Sequence, residues 1–266
     1  MQTNSSYRYS TYSSPSDFLA HAGTKNETKS LLHTRLGYEL RIFNGGHIPK
    51  TGVILCRILE KIPLEGKDVL EVGTGETAIL AIHTAALGAK SVIALDVRPQ
   101  AMRSAKKNVE ANELSAYVTL IHQPIQEFNT NKVFDLIVSN PPQMPVSHFS
   151  SFHDDGGIDG RDTIMNIISF AQVHTRAGGY LIFNAFDYLG VDQSYNNKPS
   201  LFSILRARGF KPRIAHSFTK DILGNSYTKK HLSWILKQYP RFHFSHHQGH
   251  LAYSVKIIVA QRANVL

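Results

Sequence analysis

Asp68-Val69-Leu70-Glu71-Val72-Gly73-Thr74-Gly75 is the stretch whose reading decides the fold. A short apolar burst runs into two closely spaced glycines, and a helical pattern follows at 78–87. That is the strand, tight turn and helix needed to bring a cofactor against backbone amides. A second apolar run at 91–95 ends in Asp96, and an acid placed after the next strand accepts hydrogen bonds from ribose hydroxyls. The spacing suits one strand-helix-strand unit.

Outward from this unit the alternation continues. Strands are expected at 68–72, 91–95, 117–122, 135–139 and 180–184, separated by helical patterns at 78–87, 99–112 and 163–173. Such alternation implies a parallel sheet with helices on both faces, an α/β doubly wound architecture. Upstream, an amphipathic piece is expected at 29–40 and a helix at 52–61. Downstream, a helix at 200–208 precedes the runs 213–218 and 252–259, which suit a terminal antiparallel pair. Between them lies an insert at about 219–250 rich in aromatic and basic residues, among them Tyr227, Trp234, Tyr239 and Arg241. A long loop of that mixture reads either as a substrate wall or as a homodimer contact.

The chain of 266 residues is 42% hydrophobic, enough to bury one full core with extensions. It has no apolar run of membrane-spanning length, and residues 1–16 are polar and rich in Ser and Tyr, so no membrane association and a cytoplasmic location are expected. Residues 1–30 read as a flexible N-terminal arm, and 31–266 as one domain carrying the insert. The single cysteine, Cys56, sits on an apolar helix face and reads as buried and inert. A net charge of +9 raises nucleic acid as a partner, but Lys and Arg are scattered along the chain with no Arg-rich block.

The second informative run is Phe134-Asp135-Leu136-Ile137-Val138-Ser139-Asn140-Pro141-Pro142-Gln143, which puts an Asn-Pro-Pro tripeptide at the carboxyl end of a strand, where open α/β sheets place their ligands. With the glycine loop, this resembles the class I S-adenosylmethionine-dependent methyltransferases, and within them the enzymes that methylate a planar or amide nitrogen. His47-Ile48-Pro49 and the glycine-rich run from Gly156 to Ile164 resemble the release-factor glutamine methyltransferases in particular. The resemblance implies a mostly parallel seven-stranded sheet with an antiparallel last strand and S-adenosyl-L-methionine as cofactor. It implies cofactor contacts at Glu71, Gly73, Thr74, Gly75, Asp96, Val97, Gln123 and Asn140, with His122 and Pro124 as further neighbours of the adenine. Asn140 and the carbonyl of Pro141 would orient the acceptor nitrogen, and Asn140, Pro142 and Gln143 would meet the substrate. In-line methyl transfer depends chiefly on positioning, so a strong base is not required.

The sequence departs from the family in three places. Thr77 stands where a third glycine is usual, Gln143 stands where an aromatic residue usually covers the acceptor, and with only 29–67 available for structured material ahead of Asp68 the family's separate recognition domain is expected to be absent. Several residues also have plainer readings. Glu71 can bind the ligand or cap the sheet edge, Asp96 can start the following helix, and Asn140 can be a turn residue. Asp154, Asp155, Asp159, Arg161 and Asp162 suit a charged substrate or a solvated glycine-rich loop. His243, His246, His247 and His250 lack the paired spacing of a zinc site, so no metal is expected. The leading reading is an N-methyltransferase acting on an amide, guanidine or amino nitrogen of a small molecule or protein side chain. The alternatives are an RNA or DNA base N-methyltransferase and a non-catalytic assembly subunit.

Overall fold

The computed structural model describes residues 30–33, 39–42, 49–195 and 198–264. All of the expected N-terminal arm except Ser30 lies outside the described residues. At 29–40 the chain forms a hairpin, β1 (Ser30–His33) against β2 (Glu39–Ile42), and Ile42 is buried. Helix α1 (Lys50–Leu59) follows.

The alternating region contains β3 (Asp68–Val72), α2 (Ile79–Ala86), β4 (Ser91–Asp96), α3 (Pro99–Ala111), β5 (Val118–His122), β6 (Phe134–Ser139), α4 (Asp162–His174) and β7 (Thr175–Phe186). Then come α5 (Leu201–Ala207), β8 (Phe210–Asp221), α6 (Tyr227–Gln238), β9 (Ser245–His247) and β10 (His250–Arg262).

The main sheet runs β5-β4-β3-β6-β7-β10-β8. The pairs from β5 through β7 are parallel, and β10 runs antiparallel to both β7 and β8. Seven strands were expected; β9 adds an eighth by folding back on β10. The reversal from β4 to β6 on either side of β3 makes a topological switch point, where the carboxyl ends of the strands leave a crevice.

The central strands are apolar on both faces because both faces are covered. Leu70 and Val72 of β3 pack into a core with Ile168, Leu181 and Phe183, while Val69, one step out of phase, packs with Leu80, Ile82 and Ile182 on the other side. Cys56 is buried in this second core, where loss of hydration first, and the nearby acids Glu71 and Glu60 second, push its thiol pKa up. Among the described residues no helix is long and apolar enough to cross a membrane.

The expected long loop between β8 and β10 contains a helix, α6, followed by the short strand β9. Ser226 caps α6 by accepting from the Lys229 amide at 3.2 Å, and Ile235 and Tyr239 anchor its inner face in the core. An amphipathic period was present in 227–238, but the dense aromatic and basic residues masked it.

Candidate active site

A cavity of about 1070 Å3 opens at the carboxyl ends of β3, β4 and β6. Its first half is made by the turn after β3. Gly73 and Gly75 adopt φ +76° and +66°, a region that side chains other than glycine's rarely occupy, and an added Cβ at Gly73 would meet nothing within 4 Å. The Gly73 and Thr74 amides both donate to the Leu95 carbonyl, at 2.9 and 2.8 Å, which ties this turn to β4.

Glu71 is buried beneath the turn. Its Oε2 accepts from Thr74 Oγ1 at 2.6 Å and from the Ala81 amide at 2.9 Å, so it caps the first turn of α2 while lining the cavity. Burial pushes its carboxyl pKa up to about 7, against the lowering effect of those two hydrogen bonds, and Asp96 adds to the rise. The cap therefore belongs to a helix rather than to a sheet edge.

Asp96 closes the same loop from β4. Its Oδ2 accepts from the Gly75 amide at 2.8 Å and its Oδ1 from the Arg98 amide at 2.9 Å, with the Arg98 guanidinium 3.4 Å away. Each oxygen keeps acceptor capacity, since a carboxylate has about four lone-pair sites. Val97 and Gln123 also line the cavity; the Gln123 amide donates to the Asp96 carbonyl and its side chain to the Glu127 carbonyl. His122 is turned to the Val97 carbonyl and does not line the cavity, whereas Pro124 does.

The Asn-Pro-Pro tripeptide sits across the crevice. Ser139 Oγ donates to the Val72 carbonyl at 2.7 Å, which locks the end of β6 to the end of β3. Asn140 and Pro142 line the cavity, half-buried, while Pro141 is buried and off its wall. Gln143 is not where the sequence reading put it. It is 3% exposed, and its Oε1 accepts from the Phe186 amide at 2.7 Å while its Nε2 reaches the Asn184 and Pro141 carbonyls at 3.4 Å. A side-chain amide can satisfy both a donor and acceptors, so Gln143 braces the tripeptide against β7 instead of meeting a substrate.

The glycine-rich run explains how this brace is covered. A Cβ at Gly156 would lie 2.6 Å from Gln143 Cα, and one at Gly160 2.6 Å from the Gln143 carbonyl oxygen. Only glycine lets the loop lie directly on that main chain. The charged cluster beyond it is divided: Asp155 and Arg161 are each 5% exposed and Arg161 donates to the Pro199 carbonyl, Asp154 and Asp159 are half-buried with Asp159 paired to Lys198 at 2.7 Å, and Asp162 is exposed.

In the second half of the cavity, Asp155 and Lys220 fall in segments already considered for a substrate, whereas Lys50, Phe149, Phe152 and Phe218 were not selected from the sequence. Phe149, Phe152 and Asp155 come from the loop after the tripeptide, Phe218 and Lys220 from the end of β8, and Lys50 from the start of α1. Lys50 lies over the Phe218 ring at 5.0 Å. Loss of hydration on the cavity wall lowers the Lys220 pKa, partly offset by Asp154. The alternation Phe218-x-Lys220 was the available signal, but β8 is an edge strand whose weak apolar pattern hides its register. The histidines of β9 and its hairpin point elsewhere: His247 Nδ1 pairs with Asp221 at 2.8 Å, and among the described residues no group of three or more His, Cys, Asp or Glu could hold a metal ion.

Sheet order, antiparallel β10 and a glycine turn facing an Asn-Pro-Pro strand end together define a class I methyltransferase. A methyltransferase from Pyrococcus furiosus has the same fold, with a TM-score of 0.51 at 16% identity over 85% of this chain and 90% of that one. Residues 42–150 match the family model described as ribosomal protein L11 methyltransferase (PrmA). A Methanocaldococcus jannaschii protein assigned as a protein N5-glutamine methyltransferase is 30% identical over 185 residues, 67% of this chain and 88% of that one. A release factor glutamine methyltransferase from Gloeobacter violaceus is 33% identical over 127 residues; the match covers 44% of each chain, less than half of that relative's length. The chain belongs to the N5-glutamine methyltransferase-like family of methyltransferases.

Proposed function

We propose that this protein transfers a methyl group from S-adenosyl-L-methionine to the carboxamide nitrogen of a protein side chain. One observation carries the reading: Asn140 and Pro142 line the same cavity as Gly73, Gly75, Glu71 and Asp96. The residues present fit the cofactor, because the positive φ values at Gly73 and Gly75 and the open space at Gly73 form a cradle that a Cβ would fill, and a cavity of about 1070 Å3 reaches the upper end of ordinary ligand pockets, roughly 300–1,000 Å3. Bound there, the cofactor would supply an electrophilic methyl group on a sulfonium sulfur.

The chain's own residues then have distinct tasks. Asp96 would accept from the ribose hydroxyls, Glu71 would face the amino group of the methionine end, and Thr74, Val97 and Gln123 would complete the cofactor wall. The Asn140 side chain would accept from the acceptor's N–H and hold the nitrogen in line; the Pro141 carbonyl, already approached by Gln143, would play the lesser part. The names of the relatives support a protein substrate.

Calorimetric titration with S-adenosylmethionine and S-adenosylhomocysteine tests the cofactor site: wild-type protein binds both, and Asp96→Ala loses most of the affinity. No binding by the wild type would return the assembly-subunit reading. A second reading, a nucleic-acid base as acceptor, is favoured by the net charge of +9 and by the exposed Phe149 and Phe152 rings. It requires tight, salt-sensitive RNA or DNA binding.

A further inference from the structure

Phe149 and Phe152 are among the most exposed large apolar side chains of the described residues, 60% and 59% accessible, yet both line the cavity that holds Asn140. Their rings meet edge to face with centroids 4.7 Å apart, so they present a shaped aromatic surface and not two loose side chains. Such exposure carries an energetic penalty unless something covers it.

Their loop is held by one acid. Asp155 Oδ2 accepts from the Ser150 amide at 2.6 Å and the Ser151 amide at 2.8 Å, the two residues between the phenylalanines. Its Oδ1 accepts from the Tyr227 hydroxyl at 2.6 Å, and the same hydroxyl lies 2.8 Å from Ser150 Oγ. Tyr227 is the first residue of α6, the helix inserted between β8 and β10. Further along, α6 and the residue that caps its C-terminus hold the same loop twice more, through Trp234 Nε1 to the Ile158 carbonyl at 2.9 Å and the Tyr239 hydroxyl to the Asp159 carbonyl at 2.6 Å.

We propose that Phe149 and Phe152 form the surface that covers the flat group bearing the acceptor nitrogen, and that Tyr227 of the inserted helix is the positioning residue that sets this surface through Asp155. The proposal rests on the methyltransferase reading of the site. It assigns the insert to acceptor selection, and it supplies the aromatic cover that Gln143, spent on bracing β7, does not provide. A carboxamide suits the surface: it is planar, and its two faces are poorly hydrated while its edge is left free to meet Asn140.

The test compares wild type, Phe149→Ala/Phe152→Ala, Phe149→Tyr and Tyr227→Phe, using as probe a set of glutamine-containing peptides and radiolabelled methyl uptake. S-adenosylhomocysteine affinity, measured on the same samples, stays within about twofold in every variant, because neither ring nor Tyr227 belongs to the cofactor half. The double alanine variant and Tyr227→Phe raise KM for the peptide about tenfold with kcat changed far less, and Phe149→Tyr, which keeps the ring and adds one hydroxyl, raises it less than the double variant does. Hydrogen exchange at the Ser150 and Ser151 amides speeds up about tenfold in Tyr227→Phe, a readout of the loop itself.

Unchanged KM in the double variant overturns the inference while leaving the cofactor site standing. Faster exchange in Tyr227→Phe with unchanged KM removes Tyr227 from the role. Wild-type protein that binds cofactor but methylates no peptide overturns the carboxamide class and the inference with it, and salt-sensitive methylation of RNA would transfer the surface to a base. Wild-type protein that binds no cofactor overturns the reading of the site as a whole.

Discussion

The two halves of the cavity are built from different kinds of chain. The cofactor half comes from turns at the ends of successive strands, Glu71 to Gly75 after β3, Asp96 to Arg98 after β4 and Gln123 after β5, each bonded to its neighbour by main-chain contacts. The acceptor half gathers Lys50, Asn140, Phe149, Asp155, Phe218 and Lys220 from α1, β6, a glycine-rich loop and an edge strand. The first is a local solution repeated along the sheet; the second is an assembly of distant pieces, of which the glycine-rich loop is held by α6. On the proposed reading, binding of a constant cofactor and choice of a variable acceptor would thereby be assigned to different segments of the sequence.

Substitution should separate them in energy too. The largest expected effect is on the boundary: Asn140→Ala lowers methyl transfer by about 100- to 1000-fold, the cost of losing one oriented polar group in a transition state, while S-adenosylhomocysteine affinity changes less than about twofold. Radiolabelled methyl uptake and calorimetry measure both; an equal fall in the two would merge the halves.

Next is the pH response of the cofactor half. The Glu71 carboxyl titrates at about 7 in the folded chain against an ordinary 4.5. Its contribution is fully present below pH 4.5 and is lost as pH rises through 7, a loss on the order of 3 kcal/mol. Glu71→Gln removes that slope, so urea denaturation between pH 5 and 8 shows the variant gaining on wild type as pH rises. His83 provides the opposite sign away from the cavity. Burial, only partly offset by its bond to the Cys56 carbonyl, lowers its pKa to about 4. The unfolded chain therefore takes up the proton first, and stability falls as pH drops from about 6.5 toward 4. In Glu71→Gln this acid limb is no longer offset by Glu71 and should be steeper than in wild type.

Asp96→Ala removes two charge-assisted amide bonds within the turn and weakens S-adenosylhomocysteine binding by about 10- to 100-fold, with acceptor KM at saturating cofactor nearly unmoved. The smallest effect, and the sharpest on the acceptor side, is Gln143→Leu. It leaves the Phe186 amide unpartnered and lowers stability by about 1–3 kcal/mol in chemical denaturation. A substrate-facing Gln143 would instead change KM and spare stability.

What could be read from the sequence follows the same division. Gly73, Gly75 and Asp96 were legible because a strand, a turn and the next strand lie within thirty residues and their spacing is set by backbone geometry. Four of the five parallel strands, β3, β4, β6 and β7, were legible because burial on both faces leaves near-continuous apolar runs, whereas β5, at the sheet edge, is only partly buried. Gln143 was misplaced because a polar residue beside a motif gives no sign of whether it turns to the cavity or to the main chain of β7. The insert was read as a loop because aromatic anchors such as Trp234 and Tyr239, which hold α6 to the Ile158 and Asp159 carbonyls, obscure its helical period.

By itself the sequence determined the sheet, the glycine turn and the strand end that carries Asn140, because these depend on periodicity and on residues whose allowed backbone angles are local properties. Only the tertiary structure decided which residues line the second half of the cavity. Phe149, Phe152, Phe218 and Lys220 come together through the packing of α6, the glycine-rich loop and β8, and close packing between distant segments leaves no fixed spacing along the chain.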